Sequence, residues 1–235
     1  MKILLAPDKF RGSLTAAEVC EAMSEGIRKA LPNAEILAIP MADGGEGTAE
    51  ILTYNAGGQM HSVSVSDPLG RKIKAEFGLA ADGETAYLEM AAASGLRLLQ
   101  SHERNPLQTS TFGTGELIQE ALNKGAQQLI LGIGGSATTD GGVGMAAALG
   151  WRFEDKSGRN LVPNGGSLGQ IQKIIPPANF TQINIQVACD VTAPLYGPTG
   201  AACVYASQKG ANAEMVVQLD EGLKHLANLI QRDFG

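Results

Sequence analysis

The chain has 235 residues, 44% of them hydrophobic, and a formal net charge of −6. That length fits one large domain or two small ones and supports a sizeable core. An acidic balance with no basic block argues against nucleic acid or an anionic membrane as partner, and with 5% aromatic residues a base-stacking surface is not expected.

No run approaches the ~20 apolar residues of a membrane span, and the opening MKILLAPDKF is too short in apolar length for a secretory leader. The cysteines, Cys20, Cys189 and Cys203, form neither a metal-binding spacing nor an even disulfide set, so reduced thiols in a cytoplasmic protein are expected.

In chain order, residues 3–6 read as a buried parallel strand. Thr15 with Glu18 forms a capping box. Val19, Met23, Ile27 and Ala30 then line one face of a helix that stops before Pro32. A second strand over 36–39 runs into MADGGEGT and a helix reaching about Tyr54. This β-α-β-α order predicts the start of a parallel sheet. From about Gly57 the pattern changes. Residues 62–65, 72–79 and 85–90 read as antiparallel strands with turns at DPLG and DG, which places a domain boundary near residue 60. Helices are expected over 115–122 and 143–149, a buried strand over 183–188, and an amphipathic helix over 213–230. The fold class expected is α/β in two units, 1–59 and 60–235, the first a parallel-sheet unit and the second a mixed-sheet unit.

The densest signal is LGIGGSATTDGG, residues 131–142, set between a strand-like and a helix-like run. Strand, glycine turn and helix let a backbone approach an anion, since glycines clear the way for N–H groups to face oxygens. Gly134, Gly135, Ser136, Thr138 and Asp140 are the candidate groups there. The run is neither a Walker A loop nor a GxGxxG element, and a plain strand-to-helix turn explains it equally in form. Other polar-glycine segments hold Asp8, Lys9, Arg11 and Ser13; Asp43, Gly44 and Gly45; and the TFGTGE segment. Asp190 closes the last strand. Loop cations, carboxylates and amides at strand ends suit phosphoryl transfer. Each has a structural counterpart. Lys9 and Arg11 could be solvated charges, Asp43 and Glu46 could serve the helix after them, Asp190 could form a turn, and Glu89 reads as a helix-start carboxylate. The histidines lie outside these segments, and no histidine or cysteine spacing indicates a catalytic pair or a resident metal.

Taken in order, PDKFRGSLTA, MADGGEGT, LEMAAASGL, TSTFGTGEL, GIGGSATTDGG, ACDVTAPLYGPTGAA and QKGA resemble the glycerate kinase family, specifically its bacterial ATP-dependent members acting on D-glycerate. The resemblance covers residues 1 to about 230. It implies a Rossmann-like domain built from both ends of the chain, an inserted α/β domain, and an active site in the cleft between them. It implies ATP and Mg²⁺, 2-phosphoglycerate as the favoured product, and an enzyme acting on a small molecule, with a homo-oligomer left open. Asp190, Asp43, Lys9 and Arg11 would then be catalytic. Asp8, Ser13, Gly44, Gly45, Gly134, Gly135, Ser136, Thr138 and Asp140 would bind substrate or phosphate. Asp43 or Asp190 would take the hydroxyl proton, and the other, or Asp140, would serve Mg²⁺. Two departures are mild: Arg11 stands where the family often has Lys, and Thr139 where it often has Asn. The large one is length, since family members run roughly a third longer or more. The resemblance therefore implies that the C-terminal third is absent, with a non-catalytic ligand-binding or assembly fragment as the alternative reading.

Overall fold

The structure, a computed structural model, describes residues 1–10, 13–42, 47–178 and 182–235. Strand β1 (Lys2–Leu5) pairs in parallel with β2 (Glu35–Ala38), Leu4 opposite Leu37. Helix α1 (Ala16–Ala30) connects them and packs on both. Its start is the expected capping box. Thr15 Oγ1 accepts the Glu18 N–H at 3.2 Å, and Glu18 Oε2 accepts the Thr15 N–H at 2.7 Å. Two of the four amides left over at a helix start are thereby satisfied.

The second sheet is larger. Strands β3 (Gln59–Ser66), β4 (Lys72–Leu79) and β5 (Thr85–Glu89) follow as a meander, β4 antiparallel to both of its neighbours. Then β6 (Gln128–Gly132) and β9 (Asn184–Ala188) join in parallel, giving the order β3-β4-β5-β6-β9. A third pair, β7 (Arg152–Glu154) with β8 (Lys173–Ile175), is antiparallel and was not anticipated, because three-residue strands carry too little periodicity to read. The α/β class, with a parallel pair and a mixed sheet, is as expected.

Helix α2 (Thr48–Asn55) and helix α4 (Phe112–Asn123) cover opposite faces of the mixed sheet. Phe77 on β4 is fully buried with Leu117 and Ile118 of α4. The next residue, Gly78, points the other way, and an added Cβ would lie 1.5 Å from Thr53 Oγ1 of α2. Helix α2 thus packs on the mixed sheet rather than on β1 and β2, although it precedes residue 60. Helix α4 begins three residues before the expected start, at Phe112, because its first turn packs by close glycine approach, Gly113 against the Ser66 carbonyl.

Short helices α3 (Met90–Ser94) and α5 (Val143–Ala148) follow β5 and β6. A separate core gathers Phe153, Leu168, Ile171, Leu219, Leu223 and Leu226. It lies between α6 (Ala201–Tyr205), α7 (Ala213–Phe234) and the 3-10 turn Gly165–Gln170. No helix among the described residues is long and apolar enough to cross a membrane.

Candidate functional site

The register Glu89–Gly132–Ala188 aligns the carboxyl ends of β5, β6 and β9. In open parallel sheets this is where ligands collect. Three segments leave that edge: α3 after Glu89, the glycine-rich run after Gly132, and the loop carrying Asp190.

The glycine-rich run divides into two halves. Gly134 and Gly135 are exposed and Ser136 is half-buried, whereas Ala137, Thr138, Thr139 and Asp140 are buried. The outer half is held by a bridge to the segment after α3. The Leu96 N–H donates to the Gly135 carbonyl at 2.9 Å, and the Ala137 N–H to the Ser94 carbonyl at 2.8 Å. Gly135 has φ +70°, a left-handed conformation that glycine adopts without a Cβ penalty. Among the described residues no acceptor meets the N–H groups of Gly134, Gly135 or Ser136. Open backbone N–H groups in a turn have the form that can receive an anion.

The inner half is structural. Asp140, 2% exposed, accepts from Thr111 N–H (2.9 Å), Thr111 Oγ1 (2.8 Å), Gly142 N–H (3.2 Å) and Gly144 N–H (3.3 Å). It joins the start of α4 to the start of α5. Burial pushes its carboxyl upward, and the Thr111 and glycine donors oppose that. Thr138 is buried as well, and its carbonyl accepts from Lys209. Thr138 and Asp140, expected from the sequence to contact phosphate or Mg²⁺, are both buried, and the Asp140 oxygens accept from backbone and hydroxyl donors.

A cleft of about 1000 Å³ runs from the first loop to the glycine turn, with Lys9, Ser13, Thr15, Gly47, Glu50 and Gly135 among its lining residues. Candidates from the two ends of the sequence pattern, Lys9 and Ser13 with Gly135, therefore face one space. Asp8 is exposed, and its Oδ1 accepts the Lys9 N–H at 2.7 Å, which shapes the loop. Asp190 is exposed two residues beyond β9. Arg11, Asp43, Gly44 and Gly45 lie outside the described residues.

Two positions hold partners that the sequence did not indicate. Glu89 precedes α3 but makes no cap to it. Its Oε1 accepts the Ala49 N–H at 2.9 Å, capping α2 across 40 residues of sequence. Burial raises its carboxyl, while the amides of Ala49, Gly47 and Thr48 and the nearby Lys9 ammonium hold it partly back. No local spacing signals a cap supplied from another element. Lys209 is the second. It stands in the QKGA motif, which marked the position but not its contact with the glycine run. Among the described residues no group of three or more His, Cys, Asp or Glu could hold a metal ion.

A glycine turn at the strand ends with a lysine-bearing cleft beside it is an arrangement that can receive an anionic small molecule. The glycerate kinase family model matches residues 3–235, and the chain belongs to that family. It is 48% identical over its whole length to a glycerate kinase of Haemophilus influenzae, covering 63% of that protein. It is 46% identical to the glycerate 2-kinase of Escherichia coli, with 99% of the chain and 62% of that protein covered. The crystal structure assigned to glycerate kinase 2 of Salmonella typhimurium LT2 superposes with a TM-score of 0.93 at 45% identity, over 99% of this chain and 63% of that one. The chain thus spans less than two thirds of the length of these relatives.

Proposed function

We propose that the protein transfers the γ-phosphoryl group of ATP to D-glycerate, giving 2-phosphoglycerate and ADP. The observation that carries this, beside family membership, is the single cleft onto which Lys9, Ser13 and Gly135 open. The 2-position follows the name of the Escherichia coli relative. The turn at residues 134–136 takes an anionic group, the glycerate carboxylate or a nucleotide phosphate, on its open N–H groups. Lys9 and Arg11 offset charge on the transferring oxygens. The glycerate hydroxyl attacks the γ-phosphorus, the bond to the β,γ-bridging oxygen breaks, and ADP leaves.

The backbone and hydroxyl donors around Asp140 support Asp190 and Asp43 as the proton acceptor and the Mg²⁺ ligand. We assign the proton to Asp190, which is exposed at the carboxyl end of β9 beside the glycine turn. A Mg²⁺ ion fits this donor set, because it is usually held by one or two carboxylates together with substrate phosphates. When bound it would neutralise charge on the nucleotide phosphates. All three cysteines are free thiols, which suits a reducing cytoplasm.

The test is mass spectrometry of D-glycerate incubated with the protein, ATP and Mg²⁺, where a phosphoglycerate is expected. Asp190→Asn should lower kcat by ~10²–10⁴-fold with little change in KM for ATP, as a proton acceptor acts mainly in the transition state. Binding of D-glycerate without product returns the chain to the ligand-binding reading, and neither binding nor product overturns both.

A further inference from the structure

Lys209 is a buried charge that the proposed reaction leaves without a role. It is 8% exposed and ends the 3-10 turn Ser207–Lys209 after α6. Gly210 follows with φ +97°, and an added Cβ there would lie 2.2 Å from the Arg104 carbonyl. The chain must therefore turn at once, which fixes Lys209 beneath the glycine-rich run. Its Nζ donates to Ser136 Oγ at 3.0 Å and to the Thr138 carbonyl at 2.5 Å, partners 73 and 71 residues away in sequence.

Burying an ammonium is unfavourable unless something compensates. Burial lowers the Lys209 pKa to about 8, and the Asp140 carboxylate, the charged group of the glycine run that acts on it, works in the other direction. From the opposite side Arg104 packs on Gly210 through its backbone. A neutral donor could bond the Thr138 carbonyl equally well. What an ammonium adds is positive charge behind the open N–H groups of residues 134–136. Because Ser136 Oγ already accepts from Lys209, the Ser136 hydroxyl hydrogen is left to point away from it, toward the exposed side of the turn.

We propose that Lys209 is the positioning residue of an anion-binding turn, holding Ser136 as an outward donor and placing a buried positive charge behind Gly134, Gly135 and Ser136. This rests on the turn binding an anion, whatever the identity of the substrate. The anion favours the charged lysine, so binding should weaken as pH rises through the lysine's titration.

The experiment is calorimetric titration of the protein, Lys209→Met and Lys209→Arg with D-glycerate and, separately, with sulfate, neither of which titrates between about pH 6.5 and about pH 9.5. Lys209→Met should bind about 10- to 100-fold more weakly, the loss of a charge-assisted hydrogen bond. Lys209→Arg should restore most of the affinity and abolish its decline above pH about 8, since a guanidinium does not titrate there. A purely structural lysine would leave that pH profile unchanged between the parent and the arginine variant. Equal affinity in the parent and the methionine variant, or the same pH decline in all three, overturns the proposal. Lysine-dependent binding of sulfate without D-glycerate keeps the proposal and removes the glycerate reading. Binding of neither anion overturns the proposal.

Discussion

At the scale of residues, the same chemical group takes opposite roles according to which way the backbone turns it. Asp140 and Asp190 both follow strands and both precede or accompany small and hydroxyl residues, and the sequence made both candidates, Asp190 as catalytic and Asp140 as a phosphate or Mg²⁺ contact. The structure separates them. Asp140 is enclosed by donors from two helix starts, whereas Asp190 stands in solvent at the edge of the sheet. Replacing Asp140 with Ala leaves the Thr111 and Gly144 amides without their acceptor and takes from Lys209 an opposing charge that favours its charged form. Unsatisfied buried donors cost ~1–3 kcal/mol each, so Asp140→Ala should lower unfolding stability by about 2–4 kcal/mol. A urea midpoint equal to that of the parent would show that Asp140 holds nothing together.

Among the elements, α2 shows how a helix can be tied to a sheet by one side chain. It has no side-chain cap of its own, its N-cap being Gly47. Glu89, at the end of β5, supplies the acceptor instead. The pKa of that carboxyl is raised in the folded state, chiefly by burial. A carboxylate of this kind contributes most below its unfolded pKa, and that contribution is lost as pH rises through the folded value. Glu89→Gln keeps an oxygen for the Ala49 N–H and removes the titration. The stability of the parent relative to Glu89→Gln should therefore fall as pH rises above the ordinary glutamate range. Urea unfolding at several pH values measures this, and a rising difference would mean that the α2 amides and Lys9 outweigh burial.

The elements that were legible in sequence carried their own signals. Helix α1 had its capping box and an apolar stripe, β3 and β4 had turn residues between them, and α7 had a leucine face. The elements that were not legible depend on tertiary partners. The first turn of α4 needs Ser66 behind Gly113, and β7 and β8 exist only as a pair. The candidate site was legible as a set of loops. Its division into an open half at residues 134–136 and a closed half at 137–140 was not, because the closing partners, Thr111 and Lys209, are 29 and 71 residues away.

For the whole molecule the question is how evenly stability is spread. The mixed sheet has β6 at its interior, hydrogen-bonded to β5 and β9, with Leu129 and Leu131 buried beneath α4. Among the described residues the β1–β2 pair has one partner per strand, so each strand has an edge with no strand beside it there. It also shows apolar side chains to solvent, Leu4 at 62% and Leu37 at 59% exposure. Sheets of two strands are marginal without a covered face, and here α1 covers only one side. Local opening should thus cost far less at β1 and β2 than at β6. In native-state hydrogen exchange the amides of β1 and β2 should be at least ~10²-fold less protected than those of Leu129 and Leu131, a gap of about 2.7 kcal/mol in opening free energy. The α2 amides held by Glu89 should follow the mixed sheet rather than β1 and β2, since α2 packs on β4 and β5. Uniform protection across β1, β2 and β6 would contradict this. It would mean that contacts across the Lys9–Gly135 cleft couple both sheets into one cooperative unit.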